Sequence, residues 1–384
     1  MTPEALLHAT AHLPAPLAIV DAERLRANAD QLVGRAGGLP VRVATKSVRV
    51  RSLIEEVLRR PGWAGAMTYS LRESLWLSAR GVADILLAYP SVDREALAQL
   101  AASDEHRARI TVMVDSPEHL SLIAAAGAST ANPVRVCLDI DASLRIGPAH
   151  LGVRRSPVHE VADAVALARA VVVTPGVELD GLMFYDAQIA GLPDTSPAVR
   201  LVKRRSHAEL LERRAAVVAA VRDVAPLRFV NAGGTGSLER TGSDPSVTEL
   251  TAGSGLFAPT LFDRYDAFQA HPAAFFALDV VRRPAPDIAT CFGGGYIASG
   301  PAGGTRVPTP VWPERLELIG SEGTGEVQTP LRGAAARALR VGDRVLWRHA
   351  KAGELCERFD AVALVEGDGV TSVPTYRGEG WNFG

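Results

Sequence analysis

One pattern constrains this chain more than any other. Short β-branched runs alternate with longer segments of 3.6-residue apolar spacing from about residue 16 to residue 253. The strand candidates are PLAIVD at 16–21, VRVAT at 41–45, AGAMTYS at 64–70, DILLAYP at 84–90, ITVMVDS at 110–116, VRVCLDI at 134–140, GLMFYDA at 181–187, LRFVNAG at 227–233 and VTELTAG at 247–253. Segments such as AERLRANADQLVGRA, LRESLWLSARG and HAELLERRAAVVAAVRDV lie between them and read as crossover helices. Repeated βα units put a parallel sheet at the centre, because parallel neighbours need a crossover between them. Nine candidates suit a (β/α)8 TIM-like barrel with one outer candidate belonging elsewhere. A doubly wound open sheet competes, since periodicity does not say whether a sheet closes.

Beyond about residue 265 the texture changes. Glycine, proline and short strands take over in AFFALDVVRR, DIATCFGGGYIASG, RLELIG, GDRVLWRHA and FDAVALVEGD. This predicts a barrel over 15–265 and a C-terminal β domain over 266–384, with residues 1–14 packing on the latter.

Composition removes several function classes. A net charge of −2 with no long basic stripe gives no electrostatic footprint for nucleic acid. The densest basic run, KRRSHAELLERR at 203–214, has acids interleaved at helical spacing and reads as a solvated face. Cys137, Cys291 and Cys356 lie far apart and form neither a CxxC motif nor a disulfide framework, which fits a reducing cytoplasm. The N-terminal stretch lacks the layout of a secretory signal, and no run reaches the roughly 18 apolar residues of a membrane span.

In a (β/α)8 barrel the chemistry gathers where strands end. Those positions carry Lys46, Tyr69, Tyr89, Asp115, Arg145, Tyr185, the run Asn231-Ala232-Gly233-Gly234-Thr235-Gly236, and Gly253-Ser254-Gly255. NAGGTGS lacks side chains where backbone N–H groups would approach an anion, and TAGSG repeats that chemistry one strand later. Two adjacent strand ends of this kind make a phosphate site, although glycines also make plain turns. P-loop, GxGxxG, HExxH and GxSxG signatures are absent from the sequence. A lysine ending an apolar strand opposite a phosphate site fits a phosphorylated aldehyde, pyridoxal 5'-phosphate, held as a Schiff base.

The order PLAIVD, Lys46, LRIG, GLMFYD, NAGGTG and VTELTAGSG resembles the fold-type III pyridoxal-phosphate enzymes with an alanine racemase-like barrel. Within them it is similar to the D-threonine aldolase and D-serine dehydratase branch. CFGGGYIASG through HAKAGELCERFD looks like the bacterial amino acid deaminase/aldolase subgroup. The resemblance implies that Lys46 is the Schiff-base lysine and the base for the Cα proton. It assigns Arg145 and Tyr185 to the cofactor ring, Gly233, Gly234, Thr235, Gly253 and Ser254 to its phosphate, and Gln188 to the substrate. It further implies a homodimer.

One departure stands out. The branch carries a His-x-Cys or His-x-Asp metal pair near its C-terminus, where this chain has His349-Ala350-Lys351. A protonated lysine has no lone pair for a metal. Either Cys356 or Glu354 joins His349 as a ligand, or the Lys351 ammonium stands where the metal would be, or the site has lost its role. The second option is preferred, with His349 and Lys351 acting at the substrate hydroxyl. The implied activity is a lyase on a β-hydroxy D-amino acid, by retro-aldol cleavage or by dehydration and deamination through an external aldimine. A racemase using Tyr296 as second base, and a non-catalytic cofactor carrier, are the alternatives.

Overall fold

The computed structural model describes residues 1–300 and 303–384. In chain order the first eleven strands are β1 (Leu17–Asp21), β2 (Val41–Ala44), β3 (Trp63–Thr68), β4 (Ile85–Leu87), β5 (Ile110–Val114), β6 (Val134–Ile140), β7 (Leu144–Ile146), β8 (Ala149–Leu151), β9 (Val177–Phe184), β10 (Phe229–Ala232) and β11 (Glu249–Ala252). Eight of them close a barrel in the order β10-β11-β2-β3-β4-β5-β6-β9. Every neighbouring pair is parallel, including the closing pair Phe229↔Gly181. The sheet therefore closes, which removes the open doubly wound alternative that periodicity left standing. Strands buried on both faces need near-continuous apolar runs, and all five residues of ITVMV are buried.

Side-chain caps fix where the crossover helices begin. Ser70 accepts from the Glu73 amide, Asp93 from Ala96 and Ser196 from Val199. Each satisfies one of the first-turn N–H groups that has no partner inside the helix. The long helix Pro197–Arg222 corrects one expectation, because only part of its basic run is solvated. Arg204, Arg205 and Glu212 face solvent, whereas Lys203, Ser206, Leu210 and Arg214 share an inward face. Acids make that burial tolerable: Lys203 pairs with Asp194 at 2.8 Å and Arg214 with Asp244 at 2.5 Å.

The N-terminal end of the barrel is filled by charge. Arg42 on β2 is fully buried and donates through Nε and Nη2 to both oxygens of Glu249, at 3.0 and 2.7 Å. Its Nη1 reaches the Asp84 carbonyl at 2.7 Å, and Asn231 donates to Glu249 at 2.8 Å. Arg228 grips Asp180 at 2.8 and 2.7 Å and reaches Asp84 at 3.1 Å, while Thr111 donates to Asp180 at 2.6 Å. The network joins the entries of β10 and β4, which lie on opposite sides of the closed ring.

A second sheet is built from β1 and from β12 (Ala274–Ala285), β13 (Ile288–Phe292), β14 (Thr309–Trp312), β15 (Glu317–Leu318), β16 (Gln328–Arg332), β17 (Arg344–Arg348), β18 (Ala361–Glu366) and β19 (Gly369–Pro374). Its order is β15-β16-β13-β12-β1-β18-β19, with β17 added to β12 and β14 to β17. The outer candidate PLAIVD thus belongs here: β1 runs antiparallel to β12 and parallel to β18. Leu6 from the helix Pro3–Ala9 joins Ile19, Phe275, Ala277, Leu346 and Val365 in its core. By contacts, residues 1–30, 47–54 and 254–382 form one unit, and 31–46, 55–253 and 383–384 form the other.

Candidate active site

At the C-terminal end of β2 the strand stops at Ala44, and a single 3-10 turn over Thr45–Ser47 carries Lys46 clear of the apolar run. Its ammonium donates to the Tyr89 hydroxyl at 2.6 Å. Tyr89 stands two residues past the last residue of β4, and Tyr185 directly follows β9. The Lys46 nitrogen lies 5.2 Å from the Tyr89 ring centroid and 5.9 Å from that of Tyr185. The Arg155 guanidinium lies 5.8 and 5.5 Å from the same two centroids. Two cations and two phenols therefore converge from separate strand ends.

Their environment tunes them in opposite directions. Burial raises the Tyr89 phenol, but the charges of Lys46 and then Arg155 outweigh it and hold Tyr89 below the usual tyrosine range. For Tyr185 desolvation outweighs the same cations and pushes the phenol above that range. Behind Arg155, Asp139 is pushed up to about 7 by burial and by Asp115, with Arg155 opposing and Asp141 adding to the rise. Burial also raises Asp115, against the pull of His119, whose Nδ1 lies 3.1 Å from the Asp115 carboxylate. A cavity of about 450 Å³ is lined by Tyr89, Asp115, His119, Asp139, Arg155 and Tyr185 among others.

The arginine expected at the ring is displaced. Arg145 sits on the hairpin formed by β7 and β8, is 42% exposed, and pairs with Asp141 at 2.6 Å. Its guanidinium is engaged there, and Arg155, on the return from the hairpin, is the one set against the tyrosines. A motif match at RIG stops ten residues too early, because the hairpin lengthens the path from β6 to the arginine that faces the cavity. The doublet Arg154-Arg155 after Gly152 was the available sequence signal. Asp139, Asp115 and His119 were not singled out as a cluster by sequence, since nothing local says that they share a cavity.

Gln188 is buried on the short helix Ala187–Ala190 and donates to the Ala142 carbonyl at 2.6 Å, so its amide braces the segment leading into the hairpin. Gly233, Gly234 and Thr235 follow β10, and Gly253 follows the adjacent β11. Gly233 has φ +80°, a conformation that favours glycine, and a Cβ on Gly234 would come within 2.9 Å of the Ala190 Cβ. Asp186, next to Tyr185, accepts from Ser237 Oγ at 3.1 Å and Thr241 Oγ1 at 2.7 Å, tying this turn in place. Burial raises the Asp186 carboxyl to about 6 against the opposing charge of Arg214.

Ser254 opens the short helix Ser254–Phe257 and belongs to the other unit, as do His349 and Lys351. His349 follows β17 and is buried, which lowers its imidazole to about 3, with Arg348 adding to the fall and the Ala274 backbone opposing it. It is neutral at pH 7. The Lys351 ammonium donates to Ser299 Oγ at 3.1 Å, and Glu354 accepts from the Ser299 amide at 3.0 Å. Tyr296, His349, Lys351, Glu354 and Arg358 line one narrow cleft. Among the described residues no three His, Cys, Asp or Glu side chains are grouped to hold an ion, and the protonated Lys351 beside His349 has no lone pair to offer one. Burial also raises the Cys356 thiol to about 12.

Comparison with known proteins agrees with this layout. The structure superposes on D-threonine aldolase from Filomicrobium marinum with a TM-score of 0.78 at 22% identity, over 95% of both chains. It superposes on D-threo-3-hydroxyaspartate dehydratase from Delftia sp. HT23 with a TM-score of 0.74 at 21% identity, over 94% of this chain and 97% of that one. For the alanine racemase of Clostridium difficile 630 in complex with cycloserine the TM-score is 0.63 at 13% identity, over 95% and 99%. At these identities the likeness concerns the fold. No curated protein matches in sequence. The family described as alanine racemase, N-terminal domain, matches residues 20–259, most of the chain and nearly the whole barrel. The chain belongs to the alanine racemase N-terminal domain family.

Proposed function

We propose that this protein is a pyridoxal-phosphate-dependent lyase acting on a β-hydroxy D-amino acid, by retro-aldol cleavage or by dehydration and deamination. The observation that carries the reading is the placing of Lys46: a strand-end amine bonded to Tyr89, flanked by Tyr185 and Arg155, within a barrel whose adjacent strands β10 and β11 end in glycine turns. That donor set fits the cofactor. Lys46 would hold its aldehyde carbon, Tyr185 and Arg155 would bound its ring, and Gly233, Gly234, Thr235, Gly253 and Ser254 would hold its phosphate. Bound there, the cofactor supplies an electron sink for charge at the substrate Cα.

The chain's own groups do the rest. Lys46 moves the Cα proton in the dehydratase branch. Neutral His349 and the Lys351 ammonium, supplied by this chain or by a partner copy in the dimer, would act at the β-hydroxyl, the ammonium contributing positive charge there. The names of the two structural neighbours, an aldolase and a dehydratase, support the lyase reading. Three buried free cysteines support a reducing, cytoplasmic setting, and a homodimer is part of the same proposal.

The test is spectroscopic. Wild-type protein supplied with pyridoxal phosphate is expected to show the absorbance band of a lysine-bound cofactor, and Lys46→Ala is expected to lose both the band and all turnover. A wild-type chain without the band sinks the proposal. Single D- and L-amino acids then sort the reactions: aldehyde plus glycine marks an aldolase and keto acid plus ammonia a dehydratase. An inverted enantiomer would point to Tyr296, which lines the same cleft as His349 and Lys351.

A further inference from the structure

We propose that Tyr89 is the acid–base partner of Lys46: as phenolate, its oxygen takes the proton from the Lys46 ammonium and so delivers the neutral amine on which the chemistry depends. The inference rests on the cofactor reading above, and goes beyond it by giving a function to a residue that the reading leaves idle.

Three observations converge. First, Lys46 Nζ and Tyr89 Oη are 2.6 Å apart, a distance at which a proton passes directly between them. Second, Tyr89 is held between two cations, with Lys46 on one side and the Arg155 guanidinium 5.8 Å from its ring on the other, a setting that makes its phenolate easier to form than that of a free tyrosine. Third, the neighbouring Tyr185 shares both cations, yet desolvation pushes its phenol the other way, so the two phenols are not interchangeable. The groups around Tyr89 are Lys46 from the turn after β2, Tyr185 just past β9 and Arg155 from the segment after the hairpin, with Asp139, Asp115 and His119 lining the same cavity. Burial raises Asp139 to about 7, which limits how much it cancels Arg155 near neutrality.

The proton balance is simple. An N–H bond of Lys46 breaks and an O–H bond of Tyr89 forms, with the N–H electron pair left on the amine. That lone pair then attacks a carbonyl carbon or takes a proton from a substrate carbon, whose C–H pair stays with the substrate. No oxidant or reductant enters.

The experiment is the rate at which the full-length chain, freed of cofactor by dialysis against hydroxylamine, captures pyridoxal phosphate, followed by stopped-flow absorbance across pH. Tyr89→Phe keeps the ring and removes the hydroxyl. The expected result is capture slowed about a hundredfold near neutral pH, with the gap closing as the pH rises and hydroxide takes over the proton. A Tyr89→Phe protein that captures at the wild-type rate with the wild-type profile overturns the proposal, and so does a slowing equal at every pH, which would mean that the hydroxyl only shapes the site. Arg155→Met provides an independent arm should Tyr89→Phe not fold: loss of the cation makes the phenolate harder to form, so the profile is expected to move to higher pH, and an unmoved profile counts against the assignment. If the wild-type chain captures nothing, the cofactor reading itself falls, an outcome distinct from a normal wild type beside a normal Tyr89→Phe.

Discussion

The two ends of the barrel treat charge in opposite ways. At the N-terminal end Arg42, Glu249, Arg228, Asp180 and Asp84 are matched oxygen to nitrogen, with Asn231 and Thr111 taking up further valences. At the C-terminal end cations face phenols and carboxylates are crowded together, so that Tyr89 is held down and Asp139 up. A matched buried network fixes one arrangement of strands and offers no group poised to react. An unmatched one holds groups near their switching points, which is what proton transfer needs.

Substitutions can break that contrast. Arg42→Met leaves Glu249 buried without its main partner and is expected to cost about 3–5 kcal/mol of stability, read as a fall in the urea midpoint. Whatever folded protein remains should still capture cofactor normally, and a capture defect equal to that of Lys46→Ala would erase the distinction between the ends. Asp139→Asn tests the opposite end through pH. The folded carboxyl titrates at about 7, above its ordinary 3.8, so its stabilising contribution is complete below about pH 4 and is lost as the pH rises through 7. The wild type should therefore lose stability relative to Asp139→Asn over that window, by an amount on the order of a few kcal/mol at most. A difference flat with pH would show that Asp139 is unperturbed. The smallest effect belongs to Arg145→Ala, whose half-exposed pair with Asp141 is worth less than about 1 kcal/mol. Cofactor affinity is expected to stay near wild type, and a tenfold loss in equilibrium dialysis would restore Arg145 to the site.

The barrel was legible because its signal is repetitive: each βα unit restates the same periodicity, and an error in one unit leaves the others standing. PLAIVD shows the limit, since a run of apolar residues states that it is a strand without stating its partners, and β1 pairs with strands more than 250 residues later in the chain. Lys46 was legible because a cation ending an apolar run needs a reason. Arg155 was not, because a hairpin separates it from β6 and only three-dimensional folding brings it back over Tyr89 and Tyr185. The charged face of 203–214 misled for a related reason: sequence shows the charges, while the acids that accompany them inward, Asp194 and Asp244, lie outside the run.

Tyr185 and Asp186 are consecutive residues with separate duties. The first walls the cavity beside Lys46, and the second ties down the hydroxyls that brace the glycine turn after β10. One peptide bond thus joins two parts of the site that selection would otherwise adjust independently. A change that re-angles the ring wall beside Lys46 is therefore expected to disturb the anchoring turn in the same stroke.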